Sequence, residues 1–185
     1  ISAVKTHVGK VRIKNEDSFY TPIGNNELPM LYIVADGMGG HRGGDVASRM
    51  AVEVVSSYIN ENISKDQNEE QIKGILRCSL NEANCKVLNK SLEIPELLGM
   101  GTTLTMGLFY GDQVYIGHIG DSRAYRIRKN KMEQLTRDHS LIWQLVEEGK
   151  LSLAEMSTHP MKNVITQALG TDEMIEPDIT NFDIE

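Results

Sequence analysis

Met30-Leu-Tyr-Ile-Val-Ala-Asp-Gly-Met-Gly-Gly-His41 decides how the rest of the chain is arranged. Its first six residues are mostly apolar and read as a buried strand. The run predicts a strand over 30–35 that stops at Asp36, a carboxylate with no cation beside it in sequence. Glycines at 37, 39, 40, 43 and 44 follow, and a long helical pattern begins behind them. A strand end that delivers a carboxylate into a glycine-lined turn suits a hard cation. Glycine lets the backbone approach closely, and its carbonyls serve as extra oxygen ligands.

Working outward toward the start, Asn25-Asn26-Glu27 predicts a hairpin turn leading into that strand. Before it, residues 11–20 place Arg12, Asn15, Glu16 and Asp17 where a strand restarts. Taken alone, Asn15-Glu16-Asp17 reads as a solvated polar loop; the carboxylate turn at Asp36 weakens that reading. Residues 2–8 alternate loosely and predict a first strand, broken by Gly9.

Toward the end, Val46, Ala47, Met50, Ala51, Val54, Val55, Tyr58 and Ile59 recur at helical spacing, with Ser, Arg and Glu on the other face. This predicts an amphipathic helix packed on a sheet. A polar loop over 61–70 leads to a second helix marked by Ile72, Ile75, Leu76, Ala83, Val87 and Leu88, which Pro95 stops. The two helices suggest an antiparallel pair on one sheet face. Residues 101–110 form a β-branched, alternating run, Gly111-Asp112 is a hairpin signal, and 113–120 is the return strand. Residues 123–128 and 132–135 are expected to continue the meander around a turn at Asn130. Asp121 sits between two of these strands, which on its own reads as a turn aspartate. A helix over 141–146, a capping box at Ser152-Leu-Ala-Glu155 opening a short helix, and an edge strand over 177–185 complete the pattern. Strands in succession after paired helices predict an α+β fold with an antiparallel sheet, not an alternating parallel one. One domain spanning 1–185 accommodates all of it, with no internal repeat.

Bulk properties exclude several classes. A formal net charge of -7 argues against general nucleic-acid or anionic-membrane binding. No apolar run reaches membrane-spanning length and no signal peptide is visible. Cys78 and Cys85 are the only cysteines and fall in one predicted helix, roughly 10 Å apart and too far for a disulfide. That favours a reducing, cytoplasmic setting.

Glu16, Asp17, Asp36 and Asp121 offer oxygen ligands of the type magnesium and manganese prefer, each where a strand begins or ends. No cysteine–histidine cluster offers zinc, and no Gly-x-Ser-x-Gly elbow supports acyl transfer through serine. The strand–glycine–helix order resembles a dinucleotide-binding turn, but the spacing fails at Gly43 and Asp36 would face a pyrophosphate. No Gly-Lys-Ser/Thr follows, so a Walker loop is excluded.

Arg12-x-x-Asn-Glu16-Asp17, Val34-Ala-Asp36-Gly37-Met-Gly-Gly-His41, Met100-Gly-Thr-Thr103, Gly120-Asp121-Ser-Arg-Ala-Tyr125, Leu135-Thr-Arg-Asp-His-Ser140 and Asn163-Val-Ile-Thr-Gln-Ala-Leu-Gly170 together resemble the metal-dependent protein phosphatases of the 2C type, with the bacterial branch matching best. The motifs stand in the family's order over nearly the whole chain. The resemblance implies a serine/threonine phosphoprotein phosphatase with an antiparallel β-sandwich flanked by helix pairs, a four-layer α-β-β-α arrangement. It implies two manganese or magnesium ions at the sheet edge. Asp36 would bridge both, Gly37 would lend its carbonyl, and Glu16 and Asp17 would hold metal or metal-bound water. Asp121 matches a third, weaker metal position. Arg12 would grip the substrate phosphate, although it could equally be a partner of Asp17. His41 resembles the proposed general acid, and otherwise reads as a cap of the following helix. Residues 140–165 correspond to a flap beside the active site. Phosphoprotein substrates, a cognate serine/threonine kinase and its targets are the implied partners.

One departure accompanies the resemblance. The family carries two further metal aspartates, one in a Ser-Asp-Gly-Leu type strand end and one in an Asp-Asn pair. Neither motif occurs in these 185 residues, and Asp172, Asp178 and Asp183 lack the flanks to replace them. The fold is therefore expected without its C-terminal strands. An inactive fragment or a phosphoprotein-binding module of the same family is the alternative to an active phosphatase.

Overall fold

The computed structural model describes residues 2–22, 29–39 and 43–184. Its centre is an antiparallel sheet built on β2 (Met30–Met38). On one side β2 pairs with β1 (Asp17–Tyr20), in a register that sets Asp17 opposite Asp36. On the other it pairs with β4 (Leu104–Tyr110), and beyond Asp36 with the short β3 (Gly101–Thr102). β5 (Gln113–Ile119) follows β4 through the tight turn at Gly111, where φ is +57°, and β8 (Asp178–Asp183) closes the far edge. The strand order is β1-β2-β4-β5-β8, with β3 attached to β2.

Alternation divides the sheet into two faces. Leu31, Ile33 and Ala35 of β2, Leu104, Met106 and Leu108 of β4, and Tyr115 and Ile119 of β5 are buried on one face. They pack against the helix pair α1 (Gly44–Asn62) and α2 (Glu69–Glu93). Ala47, Ala51, Val55 and Ile59 on α1 and Ile72, Leu76, Leu80, Ala83 and Val87 on α2 are fully buried in the same core. α2 opens on a capping box, Asn68 with Gln71, and ends before Pro95. The α+β antiparallel architecture and the helix pair are as the sequence pattern indicated.

The other face carries Tyr32, Val34, Phe109, Val114 and Ile116, which line an apolar hollow of about 340 Å³. Part of it is roofed by a separate two-stranded ribbon, β6 (Tyr125–Arg128) with β7 (Lys131–Gln134). The expected meander therefore ends at β5. Gly120, with φ at +108°, turns the chain out of the sheet, and Arg123 is anchored by three hydrogen bonds to Asp138 instead of continuing the ladder. β8 takes the place beside β5 that the meander would have filled.

Three other expectations are corrected. Residues 2–8 form no strand; among the described residues no strand pairs with them, and Thr6 is engaged by side chains of the next segment. β2 does not stop at Asp36 but runs to Met38, because β3 supplies a partner for Gly37 and Met38. Ser152 and Glu155 do make a capping contact, but only a 3-10 turn, Met156–Thr158, follows, not a full helix. The helix after Ser140 is α3 (Leu141–Glu147), capped by the Ser140 hydroxyl. The expected hairpin turn at Asn25-Asn26-Glu27 lies outside the described residues.

Candidate metal centre

The site lies where β1 enters the sheet and β2 reaches α1. Two glycines make the junction possible. A Cβ on Gly37 would fall 1.9 Å from the Gly44 carbonyl oxygen, and one on Gly44 would fall 2.8 Å from Glu16 Oε1. Helix and strand therefore meet backbone to backbone, with the Glu16 side chain packed against Gly44. The Gly37 N–H donates to the Glu16 carbonyl at 3.1 Å, and Ser48 Oγ on α1 donates to the same oxygen at 2.6 Å.

Asp36 and Asp17 face one another across β1 and β2. Their neighbourhood includes Asp121, Glu16 and Arg12. The Asp36 carboxyl is raised above the ordinary value, first by partial loss of water, then by the charges of Asp17 and Asp121, with Arg12 opposing and Glu16 adding a smaller push. Asp121 is raised as well, first by partial burial and then by Asp138, against its own backbone N–H and Arg123. A cavity of about 220 Å³ opens here, lined by Lys5, Thr6, Asp17, Ser18, Asp36 and Ser122.

The structure thus brings Arg12, Glu16, Asp17, Asp36 and Asp121 into one electrostatic neighbourhood. It does not draw them into a tight cage: among the described residues, no group of three or more histidine, cysteine, aspartate or glutamate side chains is placed to hold a metal ion. Two carboxylates are engaged elsewhere. Thr6 Oγ1 donates to Asp17 Oδ2 at 2.9 Å, and the Glu16 side chain lies against Gly44. The donor set is nonetheless all hard oxygen and mutually repulsive, which is the chemistry a divalent cation relieves. His41 lies outside the described residues.

Behind the carboxylates runs a buried polar network to whose members the sequence assigned no role. The Asp36 N–H donates to Thr103 Oγ1 at 3.1 Å, Thr103 N–H and Thr102 Oγ1 both donate to the Asp36 carbonyl, and Thr103 Oγ1 lies 2.8 Å from Ser122 Oγ. Deeper in, His118 Nε2 lies 3.0 Å from the Arg137 carbonyl; a carbonyl only accepts, so Nε2 carries the proton. Burial and the neighbouring His139 hold His118 below the usual histidine value, so it is neutral near pH 7. His139 Nδ1 accepts the Gly120 N–H at 3.2 Å and its Nε2 faces Asp178 of β8 at the same distance. The Gly120–Asp121 turn is thereby tied to the edge of the sheet. Thr103, Ser122 and His139 stood in the sequence only as members of three of the motifs, without a role, and in a β-branched run Thr102-Thr103 looks like ordinary strand composition.

Comparison with known proteins gives a consistent picture. Residues 7–148 match the family model described as protein phosphatase 2C. A curated relative, serine/threonine phosphatase stp of Listeria welshimeri, is 39% identical over 174 residues, which is 94% of this chain and 68% of the relative. Protein phosphatase PhpP of Streptococcus pneumoniae is 35% identical, over 97% of this chain and 72% of its own length. Among solved structures, the serine/threonine phosphatase Stp1 from Staphylococcus aureus superposes with a TM-score of 0.85 at 35% identity, covering 95% of this chain and 68% of that one.

Proposed function

The chain belongs to the protein phosphatase 2C family, and from that membership we propose that it hydrolyses phosphoserine and phosphothreonine in proteins at the Asp36 site, by direct attack of water and without a phosphoenzyme. The observation that carries the reading is the charge around Asp36. Partial burial first, and then Asp17, Asp121 and Glu16, push its carboxyl up, and Arg12 is the opposing charge. Such a pocket repels a dianionic ester until cations are held in it.

Manganese or magnesium fits the donors. Glu16, Asp17, Asp36 and the Gly37 carbonyl are the residues that would hold two ions, with a third, weaker one near Asp121. Ions bound there supply a lowered pKa for water and charge neutralisation on both sides of the displacement. The chain's own groups do the rest. Arg12 binds the phosphate, its planar guanidinium matching two phosphate oxygens. Asp36 is fixed through both of its peptide groups, and its carboxylate would be a pre-positioned ligand for the ions. His41 protonates the departing seryl or threonyl oxygen. Residues 140–165 act as a flap that meets the protein substrate, within a single catalytic domain over 1–185. A serine/threonine kinase that lays down the phosphate is the natural counterpart of such an enzyme. No helix among the described residues is long and apolar enough to cross a membrane, and the two exposed free cysteines, Cys78 and Cys85, support the cytoplasmic setting.

Turnover of para-nitrophenyl phosphate and of a phosphothreonine peptide by this 185-residue chain, with and without manganese, tests the proposal. Manganese-dependent release of phosphate is expected, and Asp36→Asn is expected to lower it by more than about 100-fold. Near-normal rates in that variant refute the role of Asp36. Phosphopeptide binding with no turnover at any manganese concentration identifies the binding-module alternative.

A further inference from the structure

Asp36 reaches the site from β2 and Asp121 from the turn after β5, and one side chain touches the flanks of both. We infer that Thr103 is a positioning residue that sets the separation of these two carboxylates and, through it, the affinity of the site for divalent cations; this rests on reading Asp36 and Asp121 as cation ligands. Thr103 is buried, 1% exposed, between β3 and β4. It grips Asp36 through both peptide groups: its N–H donates to the Asp36 carbonyl at 3.0 Å, and its Oγ1 accepts the Asp36 N–H at 3.1 Å. The same Oγ1 is 2.8 Å from Ser122 Oγ, on the residue after Asp121. Its carbon side supports the residue before Asp121. A Cβ on Gly120 would lie 2.6 Å from both Thr103 Cβ and Cγ2, so the Gly120 backbone rests directly on the threonine.

A hydroxyl has one proton and two lone pairs. Accepting from Asp36 and exchanging one bond with Ser122 satisfies Oγ1 on both sides, so Thr103 holds the ligands without serving as one. Ser122 is flanked at its other end by Thr105, whose Oγ1 lies 3.0 Å from the Ser122 carbonyl and directs its one proton to His118 Nδ1 at 2.8 Å. Among the described residues no other side chain hydrogen-bonds both to Asp36 and to the residues flanking Asp121. Each feature of threonine has a use here: the hydroxyl spans the two turns and the methyl seats Gly120. Valine keeps the shape and loses the bridge, whereas serine keeps the bridge.

The test uses the full 185-residue chain and manganese itself. Free manganese is followed by its paramagnetic resonance signal during titration of the wild type, Thr103→Val, Thr103→Ser and Ser122→Ala, with metal-free melting curves in chelator as a check on folding. Thr103→Val is expected to weaken binding by about 10- to 100-fold, the range for groups that orient metal ligands. Thr103→Ser is expected to recover most of that loss, and Ser122→Ala to show a smaller loss in the same direction. Wild-type affinity in Thr103→Val overturns the inference, as does a serine variant no better than the valine one. Should Thr103→Val fail to fold, unchanged binding in Ser122→Ala overturns it. A wild type that takes up no manganese overturns both this inference and the cation reading beneath it. Threonine-dependent binding in a chain that hydrolyses no phosphoester upholds the inference and defeats the phosphatase reading.

Discussion

Asp36 holds its negative charge beside Asp17, Asp121 and Glu16, with Arg12 opposing them, and that has a consequence for stability as well as for chemistry. Its carboxyl in the fold is raised above the ordinary value of 3.8. The folded chain therefore holds a proton at Asp36 more tightly than the unfolded chain does. For a raised carboxyl, the contribution to stability is complete below the unfolded value and is lost as pH rises through the folded one. At neutral pH the ionised side chain thus works against the metal-free fold. Asp36→Asn is expected to raise the melting temperature in chelator at pH 7, and the gap to the wild type is expected to close below about pH 3.8. A variant that melts lower than the wild type at pH 7 contradicts the sign. The residue whose loss is expected to remove activity is then one whose presence destabilises the bare chain, a common trade at functional sites.

The seating of α1 on β2 turns on the lack of a side chain at Gly37. A Cβ there would fall 1.9 Å from the Gly44 carbonyl oxygen and 2.7 Å from the Glu16 carbonyl oxygen, and backbone cannot swing aside as a flexible side chain does. Gly37→Ala is expected to exceed the ordinary overpacking cost of about 1–3 kcal/mol and to lower the melting temperature by about 5 °C or more. A melt within about one degree of the wild type contradicts the close approach. The elements around this contact were readable to different degrees, for physical reasons. Both long helices were legible because Ala47, Ala51, Val55 and Ile59 repeat at the helical period. The β4–β5 hairpin was legible because its turn signal is local. The extension of β2 to Met38 was not, since its partner Gly101–Thr102 comes much later in the chain and only pairing reveals it. Residues 2–8 alternate like a strand without a neighbour to pair with, which shows that alternation predicts a strand only where a ladder exists. The strand-end carboxylates were legible from residue type and place. Thr103 was not, because what distinguishes it from any strand threonine is a pair of contacts to residues distant in sequence.

At the scale of the whole molecule, the sheet and helix pair form a scaffold, and the candidate ligands collect at one end of it. The net charge is -7, and four carboxylates, Glu16, Asp17, Asp36 and Asp121, share the β2–α1 end with Arg12. They arrive on three different pieces of chain: the entry to β1, the last third of β2 and the turn after β5. A ligand that binds these pieces only when they are folded together draws the equilibrium toward the fold by mass action, by about 2.7 kcal/mol at a hundredfold excess over its dissociation constant. For a chain of this size each kcal/mol moves the melting temperature by about 2–4 °C. Manganese is therefore expected to raise the melting temperature at pH 7 by about 5–11 °C at that excess. Potassium chloride at equal ionic strength is expected to give a much smaller rise, because screening weakens repulsion between exposed charges without bridging them. The manganese-specific part is expected to vanish in Asp36→Asn, whose own melting temperature in chelator supplies the baseline. Equal shifts from manganese and potassium would mean that the acidic end responds only to ionic strength, and an undiminished manganese shift in Asp36→Asn would place the binding elsewhere on the molecule.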